Sequence, residues 1–244
     1  GRFPGADSIE AFWRNLRDGV ESVAPLDRAR ILDYGVPTAH LDDPRYVAVG
    51  ATIEHHDCFD SDFFGIRAAD AELLDPQHRV LLECAWHAIE SAGYAPDRVG
   101  VRVGVFAGAG GIVSSQLLSC GARFDEIIGR TGGDWHLGND KDFVATRVSY
   151  KLDLQGPSLT VQTACSTSLT ALHLACQSLR AEECEMALAG AVSIRIPHVA
   201  GYLTEAGGIY SRSGHVRAFD DSADGTVFGS GVAMVLLKPL DRAR

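Results

Sequence analysis

The 244-residue sequence lacks several features that would point to common functional classes. No CxxC pair occurs among its six cysteines, at 58, 84, 120, 165, 176 and 184. A disulfide scaffold and a zinc ribbon are therefore both disfavoured. No Lys/Arg cluster is present, and the formal net charge is -10. An acidic chain without a basic patch is a poor partner for nucleic acid or an anionic membrane. The longest apolar runs, such as Val235-Leu236-Leu237, fall far short of a membrane span. There is no initiator Met and no signal-peptide apolar core, so Gly1 is read as not the natural start; the scattered cysteines suit a reducing cytosol, and the expected location is cytoplasmic. Tandem repeats and low-complexity linkers are also missing.

What is present is an ordinary globular composition, 46% hydrophobic and 22% charged. The first 60 or so residues mix short apolar segments with Gly, Pro and Asp. They read as surface structure with one helix from Ser8, carrying Ile9, Phe12, Trp13 and Leu16 at helical spacing. A clearer helix follows, with Asp75 as N-cap, Pro76 in the first turn and Gly93 as the C′ residue. Residues 101–108 read as a buried strand, followed by a Gly-rich stretch at 108–111. Residues 140–152 read as a helix capped by Asn139. Residues 159–163 form a strand, 166–183 a helix, and 186–194 and 232–240 two further strands. Helices alternate with nearly continuous apolar strands, so the class is α/β with a sheet covered on both faces.

Cys165 is the candidate catalytic residue. It lies where the 159–163 strand meets the following helix, with the small Ala164 permitting a sharp turn. The layout follows the logic of a nucleophile elbow without that motif's glycines. Ser166, Thr167 and Ser168 are expected to serve the free N–H groups of the first turn. A helix N-terminus favours a thiolate, and its N–H groups, that of Cys165 included, can form an oxyanion hole. From position alone, a buried structural thiol is the alternative. That bland reading is assigned to the other five cysteines.

Several stretches together resemble the β-ketoacyl synthases, specifically the ketosynthase domains of modular type I polyketide synthases. Gln155-Gly156-Pro157-Ser158 and Val161-Gln162-Thr163-Ala164-Cys165-Ser166-Thr167-Ser168-Leu169 are similar to that family's active-site signature. Gly1-Arg2-Phe3-Pro4-Gly5-Ala6, Asp75-Pro76-Gln77-His78-Arg79, Asn139-Asp140-Lys141-Asp142-Phe143 and Arg217-Ala218-Phe219-Asp220 match in order. The resemblance implies a thiolase-like fold, layered αβαβα, with residues 1–244 supplying mostly the first of its two duplicated halves and incomplete at both ends. It implies that Cys165 takes an acyl chain for polyketide or fatty acid biosynthesis. A malonyl-type extender is then decarboxylated and condensed. Substrates arrive on the phosphopantetheine of an acyl carrier protein, so no cofactor or metal is expected on the chain itself. Acyltransferase and other polyketide synthase domains, and a second copy in a homodimer, are the implied partners.

The two histidines and the lysine that assist condensation belong to the second half of the family's fold. No His-Gly-Thr-Gly-Thr motif occurs here. His173 lies eight residues beyond Cys165, about 12 Å along a helix, too far to pair with it. His55, His56, His78, His87, His136, His198 and His215 are assigned surface or structural roles. Gln162, Thr226 and Ser230 depart from the family's usual Asp, Phe and Glu. A Cys-dependent hydrolase and a non-catalytic partner of a ketosynthase dimer are the alternative functions.

Two other patterns carry less. Gly108-Ala109-Gly110-Gly111 fails as a dinucleotide fingerprint, because Val113 stands at the third glycine position, and reads as a tight turn. Asp220, Ser222, Asp224 and Gly225 begin like a calcium loop, but its twelfth position is Gly231. The Leu169, Leu172, Cys176 and Leu179 stripe is assigned to the core.

Overall fold

In the computed structural model, residues 1–110 and 135–243 are described. The chain forms two compact units. One comprises Gly1, His55–Ser193 and Val232–Arg244, and the other Arg2–Glu54 and Ile194–Gly231.

The first unit is built on a four-stranded sheet. Its strands are β1 (Val103–Ala109), β2 (Ser158–Thr160), β3 (Met186–Ser193) and β4 (Gly231–Leu237), in the order β2-β1-β3-β4. β1 pairs in parallel with both neighbours, Val105 opposite Ser158 and Val103 opposite Met186. All seven residues of β1 are buried, as a continuous apolar run predicts for a central parallel strand. β4 instead alternates buried and more accessible positions, so it does not follow the fully covered expectation.

Helices cover this sheet. Numbered after α1 (Ile9–Arg17), which belongs to the other unit, these are α2 (Pro76–Ser91), α3 (Val144–Lys151) and α4 (Thr167–Arg180). α2 begins as its sequence requires: the Asp75 carboxylate accepts from the Gln77 N–H at 2.8 Å, and Pro76 occupies the first turn. Gly93, at φ 85°, ends it as the C′ residue. The expected 140–152 helix is two elements, a 3-10 turn at Lys141–Phe143 and then α3. Asp140 rather than Asn139 caps the turn, because Asn139 ends a separate short helix, Trp135–Asn139.

α4 packs on β1 and β3. Its buried face is Ala171 and Ala175, set against Phe106, Ala187 and Ala189. Full burial of the Phe106 side chain contributes about 1.5–3 kcal/mol. The predicted Leu/Cys stripe is only partly right. Leu172 and Leu179 flank this cluster, while Leu169 is 71% exposed. Small alanines let the helix approach the sheet, and Leu169 lies off that face.

In the second unit, α1 is capped by Ser8, whose hydroxyl accepts from the Ala11 N–H at 3.1 Å. Two short helices that periodicity did not predict, Arg28–Asp33 and Thr38–Leu41, follow. Ala24–Pro25 pairs with Val49–Gly50, and Tyr46–Val47 with Tyr202–Leu203, both antiparallel. The acidic loop closes on itself. Asp224 accepts from the Ser211 hydroxyl at 2.6 Å and the Ser213 N–H at 2.7 Å, and these bonds, led by Ser211, hold its carboxyl down to about 2. Ser230 accepts from the Arg195 N–H at 3.1 Å, and Thr226 bridges to Tyr210. No helix among the described residues is long and apolar enough to cross a membrane.

Candidate active site

β2 runs parallel to β1, and the Val161 N–H extends the pairing by donating to Ala107 O at 2.9 Å. The strand therefore stops earlier than predicted, at Thr160, and Val161 anchors the next segment in the core. The backbone then turns abruptly. Thr163 is at φ -133°, and Ala164 is left-handed at φ 54°. A 3-10 turn at Ala164–Ser166 leads directly into α4. Cys165 sits in that turn, one residue past the left-handed position.

An L residue other than Asn or Asp in the left-handed region is disfavoured by roughly 1–2 kcal/mol. The surrounding contacts hold it there. The Thr167 hydroxyl donates to Ala164 O at 2.8 Å and accepts from the Thr163 N–H at 3.0 Å. The Ser166 hydroxyl reaches Thr163 O at 2.9 Å and Thr163 Oγ1 at 3.0 Å, and Thr163 Oγ1 donates to Thr170 Oγ1 at 3.1 Å. These bonds correct the sequence expectation. The hydroxyls of Ser166 and Thr167 reach back to the turn, and no side chain caps the first turn of α4. The first N–H of α4, that of Thr167, donates to Ala164 O within the turn.

Gly108 explains how the turn fits. A Cβ there would lie 2.1 Å from Val161 O and 2.4 Å from Thr167 Cγ2. The Gly-rich segment is thus not a turn at Gly108, which lies inside β1 and carries no side chain because the elbow passes directly over it. Gly111, Val113 and Cys120 lie outside the described residues. The close approach is a three-dimensional fact that a sequence pattern does not encode.

Cys165 is exposed. Its backbone N–H has no hydrogen bond among the described residues, as an oxyanion donor requires. Of the other described cysteines, Cys84 and Cys184 are buried as expected and Cys176 is partly so, but Cys58 is exposed and departs from the structural reading.

No described hydrogen bond joins a histidine to Cys165. His173 is on α4, as predicted. His78 is buried and has both ring nitrogens engaged. Nε2 donates to Asp140 O at 3.0 Å and Nδ1 accepts from Arg147 Nε at 3.1 Å, while Arg147 Nη2 donates to Leu137 O. Burial first, and then the Arg147 charge, pull the His78 imidazole down to about 4. It is a neutral structural group, and the Arg147 contact is one that the sequence did not reveal. In the second unit, His198 Nε2 donates to Ile53 O at 2.9 Å, and His215 Nδ1 meets Glu21 at 2.9 Å. The side chain of His136 lies outside the described residues. No group of three or more His, Cys, Asp or Glu side chains among the described residues is arranged to hold a metal.

The family model for "Beta-ketoacyl synthase, N-terminal domain" matches residues 1–243. The chain is 48% identical over 254 residues to a phenolphthiocerol/phthiocerol polyketide synthase of Mycobacterium tuberculosis, covering 100% of this chain and 17% of that protein. It is 39% identical over 249 residues to the polyketide synthase PksM of Bacillus subtilis, covering 100% of this chain and 5% of that protein. The chain therefore spans less than a fifth of these relatives. Among solved structures, ketosynthase twelve of the bacillaene polyketide synthase of Bacillus amyloliquefaciens superposes with a TM-score of 0.88 at 37% identity. That match covers 99% of this chain and 42% of that one.

Proposed function

Since the chain belongs to the β-ketoacyl synthase N-terminal domain family and shares the thiolase-like fold of polyketide ketosynthases, we propose that Cys165 is the acyl-accepting nucleophile of a polyketide synthase. The observation that carries this reading is the exposed thiol on a held, left-handed elbow at the start of α4. A thiolate there attacks the carbonyl carbon of an acyl thioester on the phosphopantetheine arm of an acyl carrier protein. The carrier thiol leaves, and the acyl group is held on Sγ. The Cys165 N–H stabilises the oxyanion of the intermediate.

Family membership supports decarboxylative condensation as the next step. A malonyl-type extender on a carrier protein loses carbon dioxide. The carbanion attacks the Cys165-bound acyl carbonyl, a carbon–carbon bond forms, and the Cys165 thiolate is released. Two histidines and a lysine from the second half of the family's fold assist this step, and residues 1–244 are the first-half region of that domain. Acyltransferase and other synthase domains supply and remove the chains, in the cytoplasm. A second copy completes a homodimer.

The test uses the full-length protein containing this chain. Incubation with a short acyl thioester, digestion and mass analysis should place one acyl group on Cys165, and Cys165→Ala should abolish it. Release of free acid without a detectable adduct or condensation product would favour a hydrolase. An unmodified Cys165 would favour a non-catalytic partner.

A further inference from the structure

Resting on the reading of Cys165 as acyl acceptor, we propose that Thr167 is the positioning residue that fixes its thiol. Four observations lead there. Thr167 is buried, whereas Thr163, Ser166 and Cys165 around it are exposed. Its hydroxyl bonds to both residues that precede the nucleophile, accepting from the Thr163 N–H at 3.0 Å and donating to Ala164 O at 2.8 Å. Ala164, between those bonds and Cys165, holds a conformation that an alanine does not favour, at φ 54°. The Thr167 methyl lies 2.4 Å from where a Cβ on Gly108 would stand, so it fills the space that the glycine leaves.

Each half of the side chain therefore has a separate task. The methyl, seated over β1, selects the rotamer of a β-branched residue that has few to choose from. The hydroxyl is thereby aimed at the elbow and ties its two peptide groups to the first turn of α4. Thr163 and Ser166 are exposed, so water replaces a lost bond there at little cost. The buried Thr167 bonds have no such replacement. Thr167 touches no reacting atom. It acts through the backbone that carries Sγ and the Cys165 N–H.

Alkylation of the full-length protein by iodoacetamide, followed site by site with peptide mapping, reads this directly, with the exposed Cys58 as internal reference. Thr167→Val keeps the shape and the methyl contact but loses both hydroxyl bonds. It should slow Cys165 by about tenfold or more, on the scale expected for a displacement of about 1 Å, and leave Cys58 unchanged. Thr167→Ser restores the hydroxyl and should return the rate to within about threefold of the native protein. Equal Cys165 rates in the native and Val proteins, or equal losses in the Val and Ser proteins, would overturn the proposal. If Thr167→Val does not fold, Thr167→Ala and Thr167→Ser form the pair to compare. An acyl thioester is run in parallel. A native Cys165 that alkylates with the expected Thr167 dependence but takes no acyl group refutes the acyl-acceptor reading and leaves the positioning role standing.

Discussion

Gly108→Ala tests whether the elbow is sterically fitted to β1. In an open strand the change from Gly to Ala is favourable by roughly 0.5–1 kcal/mol, because Ala loses less backbone entropy on folding. At Gly108 the added Cβ would stand 2.1 Å from Val161 O, against about 3.4 Å for an ordinary contact, and 2.4 Å from Thr167 Cγ2. One neighbour is backbone, the other a β-branched group in a buried place, so neither yields cheaply. The shortfall of about 1.3 Å must be met by moving the 161–163 segment or the start of α4. Overpacking of this kind costs about 1–3 kcal/mol, which exceeds the entropic gain. A shift of that size at the nucleophile slows its reactions by up to about a hundredfold. Gly190→Ala is the control. Its Cβ would also meet a carbonyl at 2.1 Å, that of Ala233, but in β3 rather than beneath the elbow. Urea unfolding should therefore show both variants destabilised, while alkylation of the folded proteins should show Cys165 slowed in Gly108→Ala alone. A Gly108→Ala protein as stable as the native one would refute the fitted elbow. So would two variants that slow Cys165 equally.

Two further outcomes follow from burial. His78 has its imidazole depressed from 6.5 to about 4, so the folded state prefers it neutral, and that preference is full above pH 6.5. Stability should fall as pH drops from 6.5 towards 4, by up to about 3 kcal/mol from this group, and a shallower pH slope of the urea midpoint in His78→Gln would check it. An unchanged slope would mean that His78 is not held neutral. Among the described cysteines, Cys58 and Cys165 should react with a thiol reagent in the native protein, and Cys84 and Cys184 only on unfolding. Rapid native labelling of Cys84 would contradict the packing of α2.

The parts of this fold that were legible in the sequence are those encoded locally. Asp75, Pro76 and Gly93 bound α2 through contacts within a turn of themselves, and their residue types carry the signal. Cys165 was legible because its setting, strand to small residue to helix, is contiguous in the chain. The failures share a cause. Of the Leu169 stripe, Leu172 and Leu179 do pack on the core; apolar periodicity weights Leu above Ala, while close packing of α4 on Phe106 selects Ala171 and Ala175. Gly108 reads as a turn in the sequence because a glycine required by a neighbour 53 residues away looks the same as one required by φ. The helices Arg28–Asp33 and Thr38–Leu41 are too short to show a period. The Arg147–His78 pair joins residues 69 apart, and no local rule connects them.

The choice of alanine at 164 follows from the same physics. A glycine would adopt φ 54° without strain, and the elbow would form more easily. It would also leave easily, since glycine reaches many other conformations at similar energy. Alanine makes the left-handed state costly, so the elbow persists only where other contacts over-determine it. Those contacts are the Thr167 hydroxyl, the Ser166 and Thr163 belt, and the bare surface of Gly108. A nucleophile in an exposed position has little packing of its own to hold it. Here rigidity is supplied from beneath, by groups on β1 and at the start of α4, and the Cys165 thiol is left exposed.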